Sequence, residues 1–279
     1  MRRGDVARLI ALAAIWGASF LFMRIAAPAL GPVATADLRM LIAGAALTAY
    51  FAYGGFDPQW RRLGGQYFLV GAFNSAAPFL LYSYAALELS AGAMAVVNAT
   101  SPMFAAALSV VALGERLAAR RLTGLVLGVA GVALVCQPSG GNALALGAAL
   151  AAAFSYALSA VYLRRWGRGL PARGMAVGTQ LAGAVLLFPL LAAFPPAGAA
   201  TPVVWANVLA LGLLSSALAY LLYFRLIADL GATQALSVTY LIPIFGVLWG
   251  ALFLGERLSL GVLAGALLVI AGTALVLRS

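Results

Sequence analysis

The sequence contains no histidine and no lysine, and its single cysteine is Cys136. Histidine and cysteine supply most zinc sites and proton relays, and one cysteine cannot form a disulfide within a chain. Hydroxyls such as those of Ser101 and Ser155 have no recognisable base to activate them as nucleophiles. The sequence therefore predicts no enzyme, no metal site and no cofactor.

Charge is also scarce, since charged residues make up only 9% of the chain while hydrophobic residues make up 65%. Soluble domains carry about 25% charged and about 45–50% apolar residues, so this chain cannot hide its apolar surface in one water-soluble core. Apolar stretches long enough to cross a hydrocarbon layer of about 30 Å recur throughout. The sequence predicts an integral, multi-pass membrane protein whose partner is the lipid bilayer.

Arginine, glycine and proline residues mark the ends of ten apolar stretches, each predicted to be a transmembrane helix. The fold class is therefore an all-α membrane protein with ten transmembrane helices. The stretches are residues 6–26, 33–53, 66–86, 91–113, 121–137, 142–163, 174–194, 203–227, 231–253 and 259–277.

The net charge of +10 comes from 17 arginines against seven carboxylates. If the N-terminus is cytoplasmic, fourteen arginines fall at inner ends and loops, and only Arg24, Arg39 and Arg257 fall toward the outside. Basic residues concentrate on the cytoplasmic side of membrane proteins, so both termini are expected in the cytoplasm. Topology and attraction to anionic lipid explain the charge. Nucleic-acid binding, which needs basic residues grouped on one soluble face, is not expected.

The chain is a duplication, because residues 98–135 return as residues 239–276 at an offset of 141. Both copies contain the motif Gly-Glu-Arg-Leu. The similarity extends over residues 6–136 and 143–277, with an offset of 140 in the first stretch. Self-similarity at half the chain length in so apolar a sequence is typical of a transporter built from two related halves.

The two halves are predicted to be inverted repeats, residues 1–137 and 138–279. Five helices per half is an odd number, so the second half must begin on the opposite side of the membrane. Similar inverted halves can exchange unequal conformations, and thereby expose a site between them to one side and then the other.

Several motifs carry a family resemblance. Trp16-Gly17-Ala18-Ser19-Phe20 lies in the first stretch, Pro102 and Pro243 lie in the fourth and ninth, and Gly-Glu-Arg-Leu follows each of those two. In order, spacing and duplication these motifs resemble the EamA type of the drug/metabolite transporter superfamily over essentially the whole chain. Within it, the chain looks most similar to YddG-like bacterial exporters of aromatic and other neutral amino acids. The resemblance implies alternating-access export of a small-molecule substrate across a bacterial inner membrane.

Each of the seven carboxylates lies in a loop or within a turn or two of a predicted helix end. The small four-helix relatives that expel cationic drugs use a mid-membrane glutamate in their first helix, where this chain has Ser19, Phe20 and Leu21. Proton-coupled multidrug efflux is therefore the less favoured alternative. A membrane scaffold or receptor is the alternative of another class. Carriers of sugar phosphates are not expected, because Arg24 and Arg39 are predicted to lie too near the outer end to bind phosphate in a cavity.

By family analogy, the first, third, fourth, sixth, eighth and ninth stretches line the cavity, and they supply aromatic rings, hydroxyls and amides. A mostly apolar pocket with a few orienting polar groups suits a neutral amino acid, although the same residue types also pack helices and form interfacial belts. The candidate cavity residues are Trp16, Phe20, Asn74, Phe79, Tyr82, Asn98, Ser101, Tyr156, Tyr220, Tyr223 and Tyr240.

Three prolines, Pro78, Pro102 and Pro243, fall inside predicted spans, where each removes a helix hydrogen bond. They are predicted to bend helices beside the cavity. Glu115 and Glu256, which follow the fourth and ninth stretches, are predicted to cap helices and fix loops.

Small residues in the fifth and tenth stretches include Gly124-x-x-x-Gly128 and Gly261-x-x-x-Gly265, a pattern that lets helices approach closely. These two helices either pack against each other or build a homodimer, and the sequence leaves both open.

Overall fold

A computed structural model describes residues 2–115, 118–135, 143–196, 198, 200–257 and 259–277. Some residues used in the sequence analysis lie outside these ranges, namely Arg116, Leu117, Cys136, Leu258 and Arg278.

The described residues form fourteen α-helices and two short π-helical segments, and they contain no strand. The π-helical segments, π1 and π2, are Ala72–Ala76 and Leu213–Leu218. The α-helices are α1 (Arg3–Leu30), α2 (Pro32–Ala52), α3 (Trp60–Gly71), α4 (Ala77–Ala85), α5 (Ala91–Asn98), α6 (Ser101–Leu113), α7 (Ala119–Val135), α8 (Ala143–Trp166), α9 (Ala172–Ala193), α10 (Pro202–Gly212), α11 (Ala219–Leu230), α12 (Ala232–Ala235), α13 (Val238–Leu254) and α14 (Leu260–Leu277).

Seven helical segments of the described chain are long and apolar enough to cross a membrane. The expected all-helical class with several spans is thereby confirmed, whereas the number ten stays a prediction. A further apolar helix, α13, is shorter than the seven. The seven are Gly4–Leu30, Pro32–Ala52, Ala91–Leu113, Ala143–Trp166, Ala172–Ala193, Pro202–Leu230 and Leu260–Leu277.

The glycine of the repeated motif ends a helix in both halves. Gly114 closes α6 with a φ of 68°, and Gly255 closes α13 with a φ of 64°. Only glycine adopts this left-handed conformation without steric cost, which is why it is preferred after the last turn of a helix. The following glutamates then donate equivalent backbone hydrogen bonds, from Glu115 N to Ser109 O and from Glu256 N to Gly250 O.

Two of the three prolines lie beside interruptions of regular helix. Pro78 follows π1, and Pro102 lies in the first turn of α6, after the break at residues 99–100. Pro243 lies inside α13, and the interruption in its half comes earlier, at residues 236–237. The second π-helical segment, π2, forms without a proline at the position equivalent to Pro78, which is Ala219. Proline alone therefore does not cause the π-helical turns.

Helices α7 and α14 pack against each other through glycines. A Cβ atom on Gly131 would lie 2.7 Å from the carbonyl oxygen of Gly265, and one on Gly124 would lie 2.6 Å from that of Gly272. The two contacts are equivalent at the offset of 141 and show that the helices run antiparallel. These glycines let the backbones of α7 and α14 pack directly against each other within one chain.

Candidate functional site

A cavity of about 880 Å³ lies between the two halves, and its wall has contributions from α1 to α9, α11, α13, α14 and both π-helical segments. Sites for small molecules usually measure roughly 300–1,000 Å³. The cavity extends to one end of the bundle, here called the Glu115 end, where Glu115, Arg121 and Arg164 contribute to its wall. The side chain of Arg164 is exposed there, so the cavity is open at that end.

Ten of the eleven candidate residues line this one cavity. Tyr240 is not among the lining residues of the described chain, whereas its neighbour Thr239 is. Thr239 is the equivalent of Asn98 at the offset of 141, so the internal repeat indicates Thr239 as a lining residue. The ten lining residues are Trp16, Phe20, Asn74, Phe79, Tyr82, Asn98, Ser101, Tyr156, Tyr220 and Tyr223.

Aromatic pairs join the two halves across the cavity in equivalent ways. The rings of Trp16 and Tyr223 have centroids 5.3 Å apart, and those of Tyr156 and Tyr82 are 6.4 Å apart. Trp16 is the equivalent of Tyr156, and Tyr82 is the equivalent of Tyr223. Ring contacts of this kind hold the two rings in a defined geometry. Each pair therefore forms one aromatic part of the cavity wall.

Each π-helical segment accepts a hydrogen bond from a buried polar side chain, and the two hydrogen bonds are related by the internal repeat. Arg39 Nε donates to Ser216 Oγ over 2.9 Å, and Gln180 Nε2 donates to Ser75 Oγ over 3.1 Å. Arg39 and Gln180 are separated by the offset of 141, as are Ser75 and Ser216. The π-helical turns therefore present one serine from each half to a buried donor, and π-helical turns are frequent at functional sites.

Tyr220 extends this network into the cavity wall. Its hydroxyl accepts hydrogen bonds from Asn74 Nδ2 over 3.3 Å and from Gln180 Nε2 over 3.4 Å. Asn74 belongs to π1, and both Asn74 and Tyr220 line the cavity. The costly mid-membrane amide is thus hydrogen-bonded to a partner in the other half.

Arg39 lies deeper than the sequence analysis predicts. It follows Pro32, the first residue of α2, by seven residues, which is about 10 Å along a helix, and its long side chain extends further. Only 5% of it is exposed, and its guanidinium lies 3.7 Å from the centre of the Phe79 ring. Arg39 lines the cavity. The expectation that Arg39 lies too near the outer end to reach phosphate in a cavity is therefore wrong as to its position.

Arg24 behaves as a structural residue instead. Its Nη1 donates to the carbonyl oxygens of Ala86 and Leu87 over 2.7 Å and 3.0 Å, just after α4. A cation at the C-terminal end of a helix satisfies free carbonyls and complements the helix dipole. Arg24 is not among the residues lining the described cavity.

Glu256 binds the start of α5, a few residues after the carbonyls that Arg24 binds. Its carboxylate accepts hydrogen bonds from the backbone of Ala91 over 2.8 Å and of Gly92 over 3.3 Å. These are free N–H groups in the first turn of α5, where a negative charge is stabilising. Arg24 and Glu256 thus both hold residues 86–92, the segment that leads from the end of α4 into the first turn of α5, at the bundle end here called the Glu256 end.

Glu115, the equivalent of Glu256, makes different contacts. It pairs with Arg121 Nη1 at 3.0 Å and forms a second, shorter pair with Arg164. Burial by itself raises the pKa of Glu115, but the hydrogen bonds and charges of the two arginines outweigh it and hold the pKa below its usual value. The two ends of the bundle are therefore unequal, since equivalent glutamates cap a helix at one end and bind arginines beside the open cavity at the other.

Asp37 is a buried carboxylate, although its place in the sequence predicts an ordinary residue near a helix end. It is fully buried in α2, and neither of its carboxylate oxygens has a hydrogen-bond partner among the described residues. An ionised carboxylate in such surroundings carries a large desolvation penalty. The sequence does not reveal this burial, because Asp37 lies within two turns of the helix end and its burial depends on the neighbouring helices.

The EamA-like transporter family model matches this chain twice, at residues 6–137 and 143–278. A protein of Streptantibioticus cattleyicolor named a probable terminal-alkyne amino-acid exporter is 28% identical over 97% of this chain and 92% of its own length. An uncharacterized transporter of Archaeoglobus fulgidus is 24% identical over 94% of this chain and 95% of its own length.

A protein of known crystal structure has the same fold, with a TM-score of 0.69 and 20% sequence identity. The likeness covers 99% of this chain and 96% of that one. At this identity it supports the helical architecture and carries no information on substrate.

Proposed function

Since this chain belongs to the EamA-like transporter family, we propose that it is a multi-pass transporter of a bacterial inner membrane that exports small neutral metabolites, amino acids first among them. It works by alternating access and is not an enzyme. The observation that carries the proposal is the open cavity, lined by aromatic rings, hydroxyls and amides from both halves. Such walls suit a molecule with an apolar part and a few hydrogen-bonding groups.

The unequal ends support alternating access between two inverted five-helix repeats. In this conformation Arg24 and Glu256 hold the segment between α4 and α5, so the Glu256 end is closed. Their equivalents, Arg164 and Glu115, bind each other beside the open cavity. In the opposite conformation Arg164 and Glu115 would hold residues 227–233, the equivalent of that segment, and the Glu256 end would open.

The arginine distribution supports an orientation with the Glu115 end in the cytoplasm. This orientation, with ten crossings and both termini inside, makes the present conformation inward-open.

A cysteine replacing Arg168, in the exposed connection after α8, should react with an impermeant thiol reagent only after the cells are permeabilised. A cysteine replacing the exposed Gly198 should react in intact cells. Both variants are made in a Cys136→Ser background, and labelling of position 168 from outside would refute the orientation.

An amino-acid carrier of this kind should move substrate without a proton gradient. Purified protein in liposomes is expected to carry labelled phenylalanine down its own gradient at equal pH on both sides, at a rate little altered by a protonophore. The physical reason is that the chain has no histidine and that, among the described residues, the ion-paired Glu115 is the one carboxylate in the cavity wall. Protein-free liposomes provide the control. Absence of flux for every amino acid would favour a scaffold or receptor.

Proton-coupled efflux is a second candidate, favoured by one observation, the buried and unpartnered Asp37. If it is correct, an imposed pH gradient will drive a substrate above its equilibrium concentration, and Asp37→Asn will abolish that accumulation while leaving downhill flux intact. The ion-paired Asp229, which binds Arg8 at 2.7 Å, serves as the matched control carboxylate.

A further inference from the structure

Arg39 is a buried cation beside the cavity that lacks a carboxylate partner. None of the ion pairs among the described residues includes it. Its contacts are neutral: Ser216 Oγ at 2.9 Å, Met23 Sδ at 3.9 Å and the face of Phe79 at 3.7 Å. A guanidinium has five N–H donors in a planar fork, and these contacts satisfy only part of that capacity.

A buried charge is costly unless it is paired and hydrogen-bonded. The cation–π contact with Phe79 offsets part of this cost, but a neutral side chain would avoid it altogether. The charge at position 39 therefore requires a reason other than packing, and a ligand in the adjoining cavity can provide the missing anion.

The second half of the chain contains the matching neutral version of this contact. Gln180, the equivalent of Arg39, is fully buried and donates to Ser75 as Arg39 donates to Ser216. The hydrogen bond to the π-helical serine thus needs a donor but no charge. The positive charge is present in one half only, so it breaks the symmetry of the cavity and gives a bound molecule a preferred direction.

We propose that Arg39 binds a single carboxylate group of the transported substrate. The inference rests on the proposed function, since it assigns one group of the same substrate. A planar carboxylate can receive two parallel N–H donors from a guanidinium, and the apolar part of the substrate would then lie against Phe79 and Tyr82. Molecules that lack the carboxylate, such as amino-acid amides and amines, should bind poorly, whereas monocarboxylates without an ammonium group should bind.

The other arginines near the cavity favour a carboxylate over a phosphate. Arg24 is bound to the carbonyls of Ala86 and Leu87, and both Arg121 and Arg164 are paired with Glu115 at the mouth. Arg39 is thus the buried arginine left to meet a ligand in the cavity, and it can neutralise one negative charge of that ligand. A phosphate ester with two charges would keep one of them unneutralised among aromatic rings, where the solvation cost is high.

The test is binding to the purified full-length protein in lipid nanodiscs, measured by calorimetry. The probes are phenylalanine, 3-phenylpropionate, phenylalaninamide and phenyl phosphate. Wild-type protein should bind the first two, and Arg39→Gln should weaken both by at least about tenfold, the size expected for losing charge-assisted hydrogen bonds. Arg39→Lys should restore part of the affinity, because it keeps the charge and loses the fork. Arg62→Gln, an exposed arginine in α3, is the control that should change nothing.

Arg39→Gln has a structural precedent in Gln180, and its thermal unfolding temperature should stay near that of the wild type. Equal affinity of Arg39→Gln and wild type for phenylalanine would overturn the site while leaving export intact. Tighter binding of phenyl phosphate than of 3-phenylpropionate, or wild-type binding of the amide as tight as that of phenylalanine, would also overturn it. Arg39-dependent binding of 3-phenylpropionate without flux of any amino acid would support the site and refute the proposed function.

Discussion

Replacing Tyr82 by alanine is expected to lower phenylalanine flux by roughly 5- to 150-fold at sub-saturating concentration, because the loss of one large buried side chain costs roughly 1–3 kcal/mol of binding. Tyr82 is 2% exposed, lines the cavity and packs edge-on against Phe20 with ring centroids 5.4 Å apart. Its ring also stacks on Tyr156. Flux into liposomes is the measurement.

Three further variants separate the cavity wall from helix stability. Tyr223→Ala should reduce flux less, because Tyr223 is only partly buried, whereas Tyr82→Phe tests the hydroxyl, which is buried without a partner among the described residues. Tyr84→Ala is the matched control, since Tyr84 lies on the same helix, is exposed and does not line the cavity. All variants are compared for membrane insertion and thermal unfolding. Wild-type flux in both Tyr82→Ala and Tyr223→Ala, with a loss in Tyr84→Ala, would place the cavity elsewhere.

The sequence predicts most of the cavity wall because polar and aromatic groups are informative in an apolar chain. Asn74 and Asn98 must find partners or a water-filled space in a membrane, and the repeat marks Tyr82 and Tyr223 as equivalent. Ten of the eleven candidates accordingly line one cavity. Tyr240 is not among the lining residues of the described chain, whereas Thr239, the equivalent of Asn98, is one of them.

The depth and rotation of individual helices could not be predicted in the same way. Lipid and protein interior are both apolar, so a membrane helix shows little periodic contrast between its two faces. Arg39 and Asp37 lie two positions apart near the start of α2. The sequence does not reveal that Arg39 lines the cavity, or that Asp37 is buried with no hydrogen-bond partner in the described part of the chain. Neighbouring helices decide both outcomes.

The glycine pattern illustrates the same limit. Close approach can be predicted from Gly124 and Gly265, because small residues let helix backbones meet. Whether the partner helix belongs to the same chain depends on where the connections place it. In the structure α7 meets α14 within one chain.

In the proposed orientation, replacing Glu256 by alanine is expected to open the cavity at the Glu256 end, toward the outside, more often. Glu256 holds the first turn of α5 by two hydrogen bonds in the present, closed arrangement. Losing a side-chain cap costs about 0.5–2 kcal/mol, and a charge at a helix N-terminus adds to this. A destabilisation of that size shifts a two-state equilibrium by roughly 2- to 30-fold toward the other conformation.

The shift can be read from the reactivity of a cysteine placed in the cavity. Ser101 lines the cavity, and Ser101→Cys in a Cys136→Ser background provides one thiol of nearly the original size. An impermeant thiol reagent added to intact cells should label it faster in Glu256→Ala by that factor. Glu88→Ala, which removes an exposed carboxylate from the segment that Glu256 holds, should label at the original rate. An equal rate in Glu256→Ala and in its parent would mean that this glutamate fixes the α5 helix without closing the outer end, and the closure would then rest on Arg24 and on the packing of α1 against α13.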